Sequence, residues 1–158
     1  MNQSTRTILV GVVTLAILAL LIQLIPYGHD HANPPVVKEP NWDSPQTREI
    51  TKGACFDCHS NETVWPWYSN IAPVSWLVYR DVADGREHLN FSEWDVHPSM
   101  PEGEGEGEEH QHGPEVIKDV LESHEMPPAN YLLLHPAARL TDQERQALID
   151  GLIKSTQE

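Results

Sequence analysis

Two cysteines and a histidine stand together in the segment Cys55-Phe56-Asp57-Cys58-His59, and the 158-residue chain contains no other cysteine. The C-x-x-C-H spacing is typical of covalent attachment of c-type haem. Each thiol can form a thioether to one vinyl group of the porphyrin, and the imidazole that follows then lies beneath the iron as a proximal ligand. The motif predicts one covalent haem c, bound through Cys55 and Cys58, with His59 as an iron ligand.

Two other kinds of site use closely spaced cysteines. A zinc site would need about two more Cys or His ligands in a second cluster, and the sequence has no second cysteine pair. A thioredoxin-like redox pair is expected within a β-α-β pattern, and no such alternation surrounds this motif. A further alternative is a protein without haem that uses Cys55 and Cys58 as a dithiol switch.

An uncharged run of 19 residues extends from Thr7 to Ile25. As a helix it would be about 28 Å long, close to the roughly 30 Å hydrocarbon core of a bilayer. A cleavable signal peptide usually has a shorter apolar core that ends at small residues, whereas here Asp30 stands two residues before Ala32. We therefore expect residues 1–26 to be an uncleaved signal anchor, a single transmembrane helix.

The charges on either side of this run predict its orientation. Arg6 and the α-amino group precede it and should remain in the cytoplasm, so the rest of the chain would lie on the extracytoplasmic side, periplasmic or at the cell surface. The whole chain carries a net charge of −14, and leaving out the +1 of Arg6 gives −15 for the exported part. Nucleic acid and anionic lipid headgroups are therefore not expected as partners. Redox proteins, basic or within a membrane complex, are expected instead.

The exported part divides into a linker and one domain. Residues 27–43 are rich in proline and predict an extended linker. Residues 44–158 are expected to form the haem-binding domain. Within it, residues 101–114 (PEGEGEGEEHQHGP) are acidic, glycine-rich and of low complexity, which predicts a disordered surface insertion.

Several patterns predict helices in this domain, and none predicts a strand. Ser44 followed by Pro45 is typical of a helix start, with Ile50 and Ala54 on its buried side. A second helix is predicted from Pro73 through Asp84, where Gly85 would stop it. An amphipathic helix is predicted around Val116, Ile117, Val120 and Leu121, and a last one after a capping box at Thr141–Glu144, with Ala147, Leu148, Ile149, Leu152 and Ile153 on its apolar face. The predicted fold is all-α, with cytochrome c-like helices around one haem.

The ligand on the second side of the iron would decide whether the site carries electrons or binds a substrate. We favour Met126, because Pro127 and Pro128 stiffen its segment and keep it out of a helix. Four other residues are alternatives for this ligand: Met100, His88, His97 and His124. A further alternative is that the second side of the iron has no protein ligand.

Three long segments of the chain resemble the bacterial haem-binding domain family. They are CFDCHSNETVWPWYSNIAPVSWLV (Cys55 to Val78), GREHLNFSEW (Gly85 to Trp94) and EMPPANYLLLHPAARLT (Glu125 to Thr141). The resemblance covers most of residues 44–154. It implies one haem attached through Cys55, Cys58 and His59, suggests Met126 as the distal ligand, and implies a protein similar to electron-transfer cytochromes.

The chain departs from this family in two places. Relatives often carry histidine where Asp81 stands, so a ligand at that position is not available here. The acidic insertion between Trp94 and Val116 is also unlike the shorter, more basic connection of relatives, which leaves the partner surface open.

The sequence as a whole predicts a membrane-anchored monohaem c-type cytochrome that carries single electrons on the outer face of the cytoplasmic membrane. We expect no enzymatic activity, because no spacing of Ser, His and Asp or of paired carboxylates singles out a catalytic group. The alternative is a haem enzyme, or a gas or redox sensor, with an open or labile distal site. The electron donor and acceptor have no signature in the sequence.

Overall fold

A computed structural model describes residues 2–94 and 114–155 of the chain. The helices in these ranges are α1 (Gln3–Ile22), α2 (Pro45–Ala54), α3 (Phe56–His59), α4 (Val74–His88), α5 (Pro114–Glu122), α6 (Ala129–Leu134) and α7 (Asp142–Ser155), with short 3₁₀ helices at Trp67–Asn70 and Pro136–Ala138. The β-type pairing found in the same ranges is an isolated bridge between Lys38 and Glu93. The predicted all-α fold is confirmed.

Part of the sequence-based description falls outside these ranges. Met100, His97 and the predicted acidic insertion 101–114 are not among the described residues, apart from Pro114, which begins α5.

Helix α1 is uncharged after Arg6 and has no buried residue. It is the helix, within the described part of the chain, that is long and apolar enough to cross a membrane. A membrane anchor and a signal sequence both have this form.

The described chain forms two compact units. The first contains residues 2–32 and 65–81, and the second contains residues 33–64, 82–94 and 114–155. Helix α4 contributes to both, because the boundary falls after Asp81.

In the first unit, the residues that follow α1 pack against the segment that leads into α4. The Gln23 amide donates to the Ala72 carbonyl at 3.0 Å and accepts from the Ala72 N–H at 2.9 Å. Gly28 has a φ of +78°, and a Cβ at this position would lie 2.8 Å from the Ser75 carbonyl oxygen. Glycine is therefore required at position 28 both by its backbone conformation and by the close approach.

The core of the second unit joins α3, α5 and α7. Its buried residues are Phe56, Phe91, Leu121, Leu148, Ile149 and Leu152. The predicted apolar face of α7 therefore supplies three fully buried residues, while Ala147 and Ile153 are half-buried. The capping box also forms, since the Glu144 N–H donates to Thr141 Oγ1 at 3.2 Å and the Thr141 N–H donates to Glu144 Oε2 at 2.8 Å.

Helix α2 begins as its sequence predicts. Ser44 is the N-cap and accepts from the Thr47 N–H at 3.2 Å, and Pro45 is the first helical residue. Ala54 is buried and Ile50 is half-buried against the core, as expected.

Helix α4 corrects one prediction. It continues through Gly85 to His88, so the predicted stop at Gly85 is wrong. A Cβ at Gly85 would lie 2.5 Å from the Cys58 carbonyl oxygen, and it would meet Cys58 Cβ at 3.0 Å. Glycine is needed here because two backbone segments approach closely, and not because the helix ends in a left-handed conformation.

Residues 33–43, which belong to the predicted linker, form hydrogen bonds with the rest of the second unit. The N–H groups of Val37 and Lys38 donate to the Ser92 carbonyl at 2.9 and 3.0 Å, and the Lys38 carbonyl accepts from the Trp94 N–H at 3.0 Å. This part of the chain is held along its backbone.

An ion pair fixes the same segment to α2. The Glu39 carboxylate accepts from Arg48 Nε and Nη2, both at 2.7 Å, and from Trp42 Nε1 at 2.7 Å. The hydrogen bonds from Arg48 hold the pKa of Glu39 below its usual value, although partial burial opposes them. The interaction stabilises the fold because the charged carboxylate is bound more strongly in the folded chain than in the unfolded one.

Glu39→Gln should therefore lower the free energy of unfolding of the detergent-solubilised full chain by about 1–2 kcal/mol at pH 7. Because the pKa of Glu39 is depressed on folding, the stabilisation is full above its unfolded pKa and is lost as pH falls through the folded one. The difference between wild type and variant should shrink below about pH 4. Urea unfolding followed by far-ultraviolet circular dichroism at several pH values measures it.

Glu49→Gln is the matched control, since it removes the same charge from a side chain that is 74% exposed and 3.9 Å from Arg48 Nη1. It should change the free energy of unfolding by less than about 0.5 kcal/mol. An equal loss in both variants would show that general charge, and not the pair with Arg48, is responsible.

Candidate haem-attachment site

The C-x-x-C-H motif lies on a single helical turn. Cys55 ends α2, donating its N–H to the Thr51 carbonyl at 2.8 Å, and its own carbonyl accepts from the N–H groups of Cys58 and His59 at 3.2 and 2.9 Å. Residues three and four positions apart share one face of a helix, so both thiols and the imidazole are presented together. Neither cysteine forms a disulfide.

Phe56 anchors this turn in the core. Its side chain is almost completely buried, and its ring stacks on Phe91 at 5.8 Å between centroids. The Arg48 guanidinium lies 5.7 Å from the centroid of the same ring. A residue between the two cysteines therefore fixes the position of the motif by packing.

The backbone of α4 and the residue after it orient the His59 ring. His59 Nδ1 lies 2.9 Å from the Gly85 carbonyl oxygen and 3.1 Å from the Leu89 carbonyl oxygen. Carbonyl groups only accept, so the proton sits on Nδ1 and Nε2 keeps its lone pair, as in a metal-binding imidazole. Burial lowers the pKa of His59, and the two hydrogen bonds offset this only in part. The ring is therefore neutral at pH 7.

The chain that follows α4 wraps around the end of the motif. The Phe91 N–H donates to the His59 carbonyl at 2.8 Å, and Ser92 Oγ accepts from the Asn61 N–H at 2.9 Å. The side-chain oxygen of Asn61 accepts from the Asn90 amide at 3.0 Å. These polar side chains are buried and satisfy one another and the backbone, as buried polar groups must.

Arg86 holds the residues immediately after the motif. Its Nε donates to the Ser60 carbonyl at 2.8 Å, and its Nη2 donates to Thr63 Oγ1 and to Asn33 Oδ1, both at 2.9 Å. One guanidinium thus ties the last turn of α4 to the exit of the motif and to the linker.

The Cys55 thiol is in an apolar environment. Burial raises the pKa of Cys55 to about 12, with a smaller contribution from Cys58. At neutral pH the thiol is protonated and a poor nucleophile, because the thiolate is the reactive form.

Met126 lies in the segment between α5 and α6. Arg145 of α7 holds that segment, since its Nη1 donates to the carbonyls of Leu121 at 2.7 Å and Met126 at 3.1 Å. Further along, the Tyr131 hydroxyl donates to Asp57 Oδ2, inside the motif, at 2.7 Å. The chain around Met126 is therefore connected to both α7 and the motif helix, while the Met126 side chain remains 36% exposed.

Two other histidines considered as distal ligands, His88 and His124, are at the surface. His88 is exposed, and its Nδ1 lies 2.7 Å from the Asp84 carbonyl oxygen. His124 is also exposed, with a φ of 62° and its Nδ1 2.9 Å from the Glu122 carbonyl oxygen. Asp81, the position where relatives often carry histidine, lies 3.7 Å from Arg80.

The donor set fits a c-type haem. Two cysteine thiols and a neutral imidazole with an available Nε2 share one turn, which is the chemistry that thioether attachment and axial ligation require. Within residues 2–94 and 114–155, no three His, Cys, Asp or Glu side chains are grouped so that they could hold a metal ion. A haem iron needs only one or two protein ligands, so this finding does not bear on it.

The sequence patterns do not indicate which residues support the motif, namely Gly85, Arg86, Asn61 and Ser92. The carbonyls of Gly85 and Leu89 have no signature in a sequence, because every residue carries one. A signal was nevertheless present at Gly85. A glycine inside an otherwise helical pattern indicates either a helix end or a close packing contact, and only the first was considered.

Gly85→Ala should lower the free energy of unfolding by about 2 kcal/mol, because the added methyl would overlap the Cys58 backbone. Urea unfolding of the detergent-solubilised full chain measures this effect. We also expect less haem in the purified protein, read as haem absorbance per polypeptide.

Gly53→Ala is the control, since Gly53 is also helical and a Cβ there meets nothing within 4 Å. It should raise the free energy of unfolding by about 0.5–1 kcal/mol. If both variants were stabilised alike, the close approach at Gly85 would be disproved.

Comparison with known proteins gives one result. The family model described as haem-binding domain matches residues 17–154, which is most of the chain. Curated proteins and solved structures give no match. The chain is therefore a member of the haem-binding domain family, and it is a haem-binding protein.

Proposed function

We propose that this protein is a membrane-anchored monohaem c-type cytochrome that carries single electrons on the outer face of the cytoplasmic membrane. The observation that carries the proposal is the state of His59. Its Nδ1 is engaged by two carbonyls, its Nε2 keeps its lone pair, and two cysteine thiols lie on the same helical turn. When bound, haem supplies one-electron redox chemistry.

Cys55 and Cys58 would hold the cofactor by thioethers, and His59 would be its proximal ligand. The two carbonyl partners fix the orientation of the imidazole and increase electron density at Nε2, since a hydrogen-bonded Nδ1–H makes the ring a stronger ligand. Phe56 and Phe91 exclude water from the inner side of the motif.

Met126 is proposed as the distal ligand. Arg145 and the following prolines hold its segment, so a thioether can be presented without a large loss of conformational entropy. A thioether ligand raises the reduction potential, which suits an electron carrier. The Arg145 Nε is buried without a hydrogen-bond partner among the described residues, so it would be available to a haem carboxylate.

We propose that α1 remains attached as the anchor. Two observations support this. Gln23, directly after α1, exchanges two hydrogen bonds with Ala72, so cleavage near this point would remove contacts of the folded first unit. The family match also begins at residue 17, within α1. Arg6 would keep the N-terminus in the cytoplasm.

The proposed partners are redox proteins that dock on an acidic surface or share a membrane complex. A charge of −15 outside the anchor would attract basic proteins over about one Debye length, roughly 10 Å at 0.1 M salt.

We propose electron transfer without enzymatic turnover. One observation favours the alternative of a gas or redox sensor, since the Met126 side chain is partly exposed and its ligand position could be vacated.

The central test is covalent attachment. The full chain, expressed with the c-type maturation system, should keep one haem after denaturation and extraction with acidified organic solvent, and its mass should include that haem. The double variant Cys55→Ala, Cys58→Ala should lose the haem to the solvent. Extraction of haem from the wild type, leaving an unmodified polypeptide, would refute the assignment.

The distal ligand is tested by a second pair of variants. The oxidised wild type should show the weak far-red absorption of a sulfur-to-iron bond, and Met126→Ala should lose it and bind carbon monoxide readily when reduced. Met100→Ala, which removes the rival thioether, should keep the band. If only Met100→Ala loses it, Met100 is the ligand. Carbon monoxide binding to the reduced wild type would favour the sensor or enzyme.

A further inference from the structure

After the α1 segment, residues 65–79 belong to the longest uncharged stretch of this acidic chain. It contains no Asp, Glu, Lys or Arg, although these residues make up 22% of the sequence. It also exposes large apolar side chains: Trp67, which is 76% exposed, and Ile71, Val74 and Leu77. Exposed large apolar side chains that lie close together in the sequence of an otherwise charged protein indicate an interaction surface.

The position of this stretch is fixed relative to α1. Gln23 follows the last residue of α1 and exchanges hydrogen bonds of 2.9 and 3.0 Å with Ala72, in the middle of the stretch. Tyr27 contacts Tyr79 edge to face at 5.3 Å, and Gly28 abuts the Ser75 backbone. All of these residues belong to the first compact unit.

The length of α1 gives the depth of the contact. Counted from Thr7, the first residue after Arg6, about 20 helical residues cross the roughly 30 Å hydrocarbon core, so Gln23 would lie within about one helical turn of its outer boundary. Because Ala72 is hydrogen-bonded to Gln23, it must lie within a few ångströms of the same boundary. Leu24 and Ile25 are exposed at this level as well.

We infer that residues 65–79 form a membrane-surface contact, in which Trp67, Ile71, Val74 and Leu77 enter the interfacial layer of the bilayer that α1 crosses. This inference rests on the proposed anchoring of α1. Tryptophan and tyrosine are favoured in that layer because their rings are apolar and carry one polar group. The absence of charge in the stretch also removes the repulsion that the acidic remainder would experience at a membrane surface.

The partner is thus the lipid itself. In this arrangement the first unit contacts the bilayer surface directly, in addition to its attachment through α1. A second copy of the chain, a partner subunit or the cofactor could also cover these side chains. Each of these occupants would keep lipid away from them.

Photolabelling by lipid tests the inference. The full chain, with its cofactor, is reconstituted into phosphatidylcholine vesicles that include a phosphatidylcholine with a diazirine near the headgroup, and adducts are mapped by mass spectrometry after irradiation. We expect adducts both on α1 and on residues 67–77. Adducts on α1 alone would overturn the inference and leave the anchor intact. Adducts on neither would overturn the inference together with the anchor, without affecting the haem assignment.

A charge placed in the contact provides a sharper test. Val74→Glu changes the first residue of α4, where an acidic side chain favours the helix, so folding should be retained and is checked by circular dichroism. Labelling of residues 67–77 should fall about twofold, because an acidic charge is disfavoured in the interfacial layer, while labelling of α1 should not change. Val37→Glu, which places the same charge on an exposed valine of the second unit, should label like the wild type. Undiminished labelling in Val74→Glu would refute the contact.

Discussion

The hydrogen bonds from His59 Nδ1 to the carbonyls of Gly85 and Leu89 are the interaction on which the site depends. These carbonyls lie at the carboxyl end of α4, where the helix dipole concentrates partial negative charge. The end of a helix therefore accepts the Nδ1 hydrogen bond and orients this imidazole, as a carboxylate does for many metal-binding histidines. It requires that α4 approach the motif closely, and Gly85 is the residue that makes this approach sterically feasible.

Local signals allowed much of the fold to be predicted from the sequence. The Ser44-Pro45 start of α2 and the capping box before α7 depend on residues that are neighbours in the chain, so their patterns are visible without a structure. Gly85 was misinterpreted because a glycine in a helical pattern has two common uses. Helix α6 was not predicted, since it is only six residues long and follows two prolines, which indicated a loop.

The candidate site divides along the same line. Cys55, Cys58, His59 and Met126 were singled out by side-chain chemistry and spacing, and their roles as haem ligands remain predictions. The structure adds how His59 is oriented and how the Met126 segment is held by Arg145 and, through Tyr131, by Asp57. His59 and Gly85 are 26 residues apart in the sequence, and Asp57 and Tyr131 are 74 residues apart. No local sequence pattern can therefore indicate these contacts.

The apolar environment of the half-buried Cys55 has a consequence for biogenesis. In the folded chain its pKa is raised to about 12, so the reactive thiolate is almost absent at neutral pH. Once α4 has closed over the motif, the backbone contact between Gly85 and Cys58 leaves little room for the turn to adjust. Under the proposed c-type attachment, a chain that folded before it received haem would therefore form the Cys55 thioether slowly. The proposed attachment is therefore expected to precede the packing of α4 against the motif.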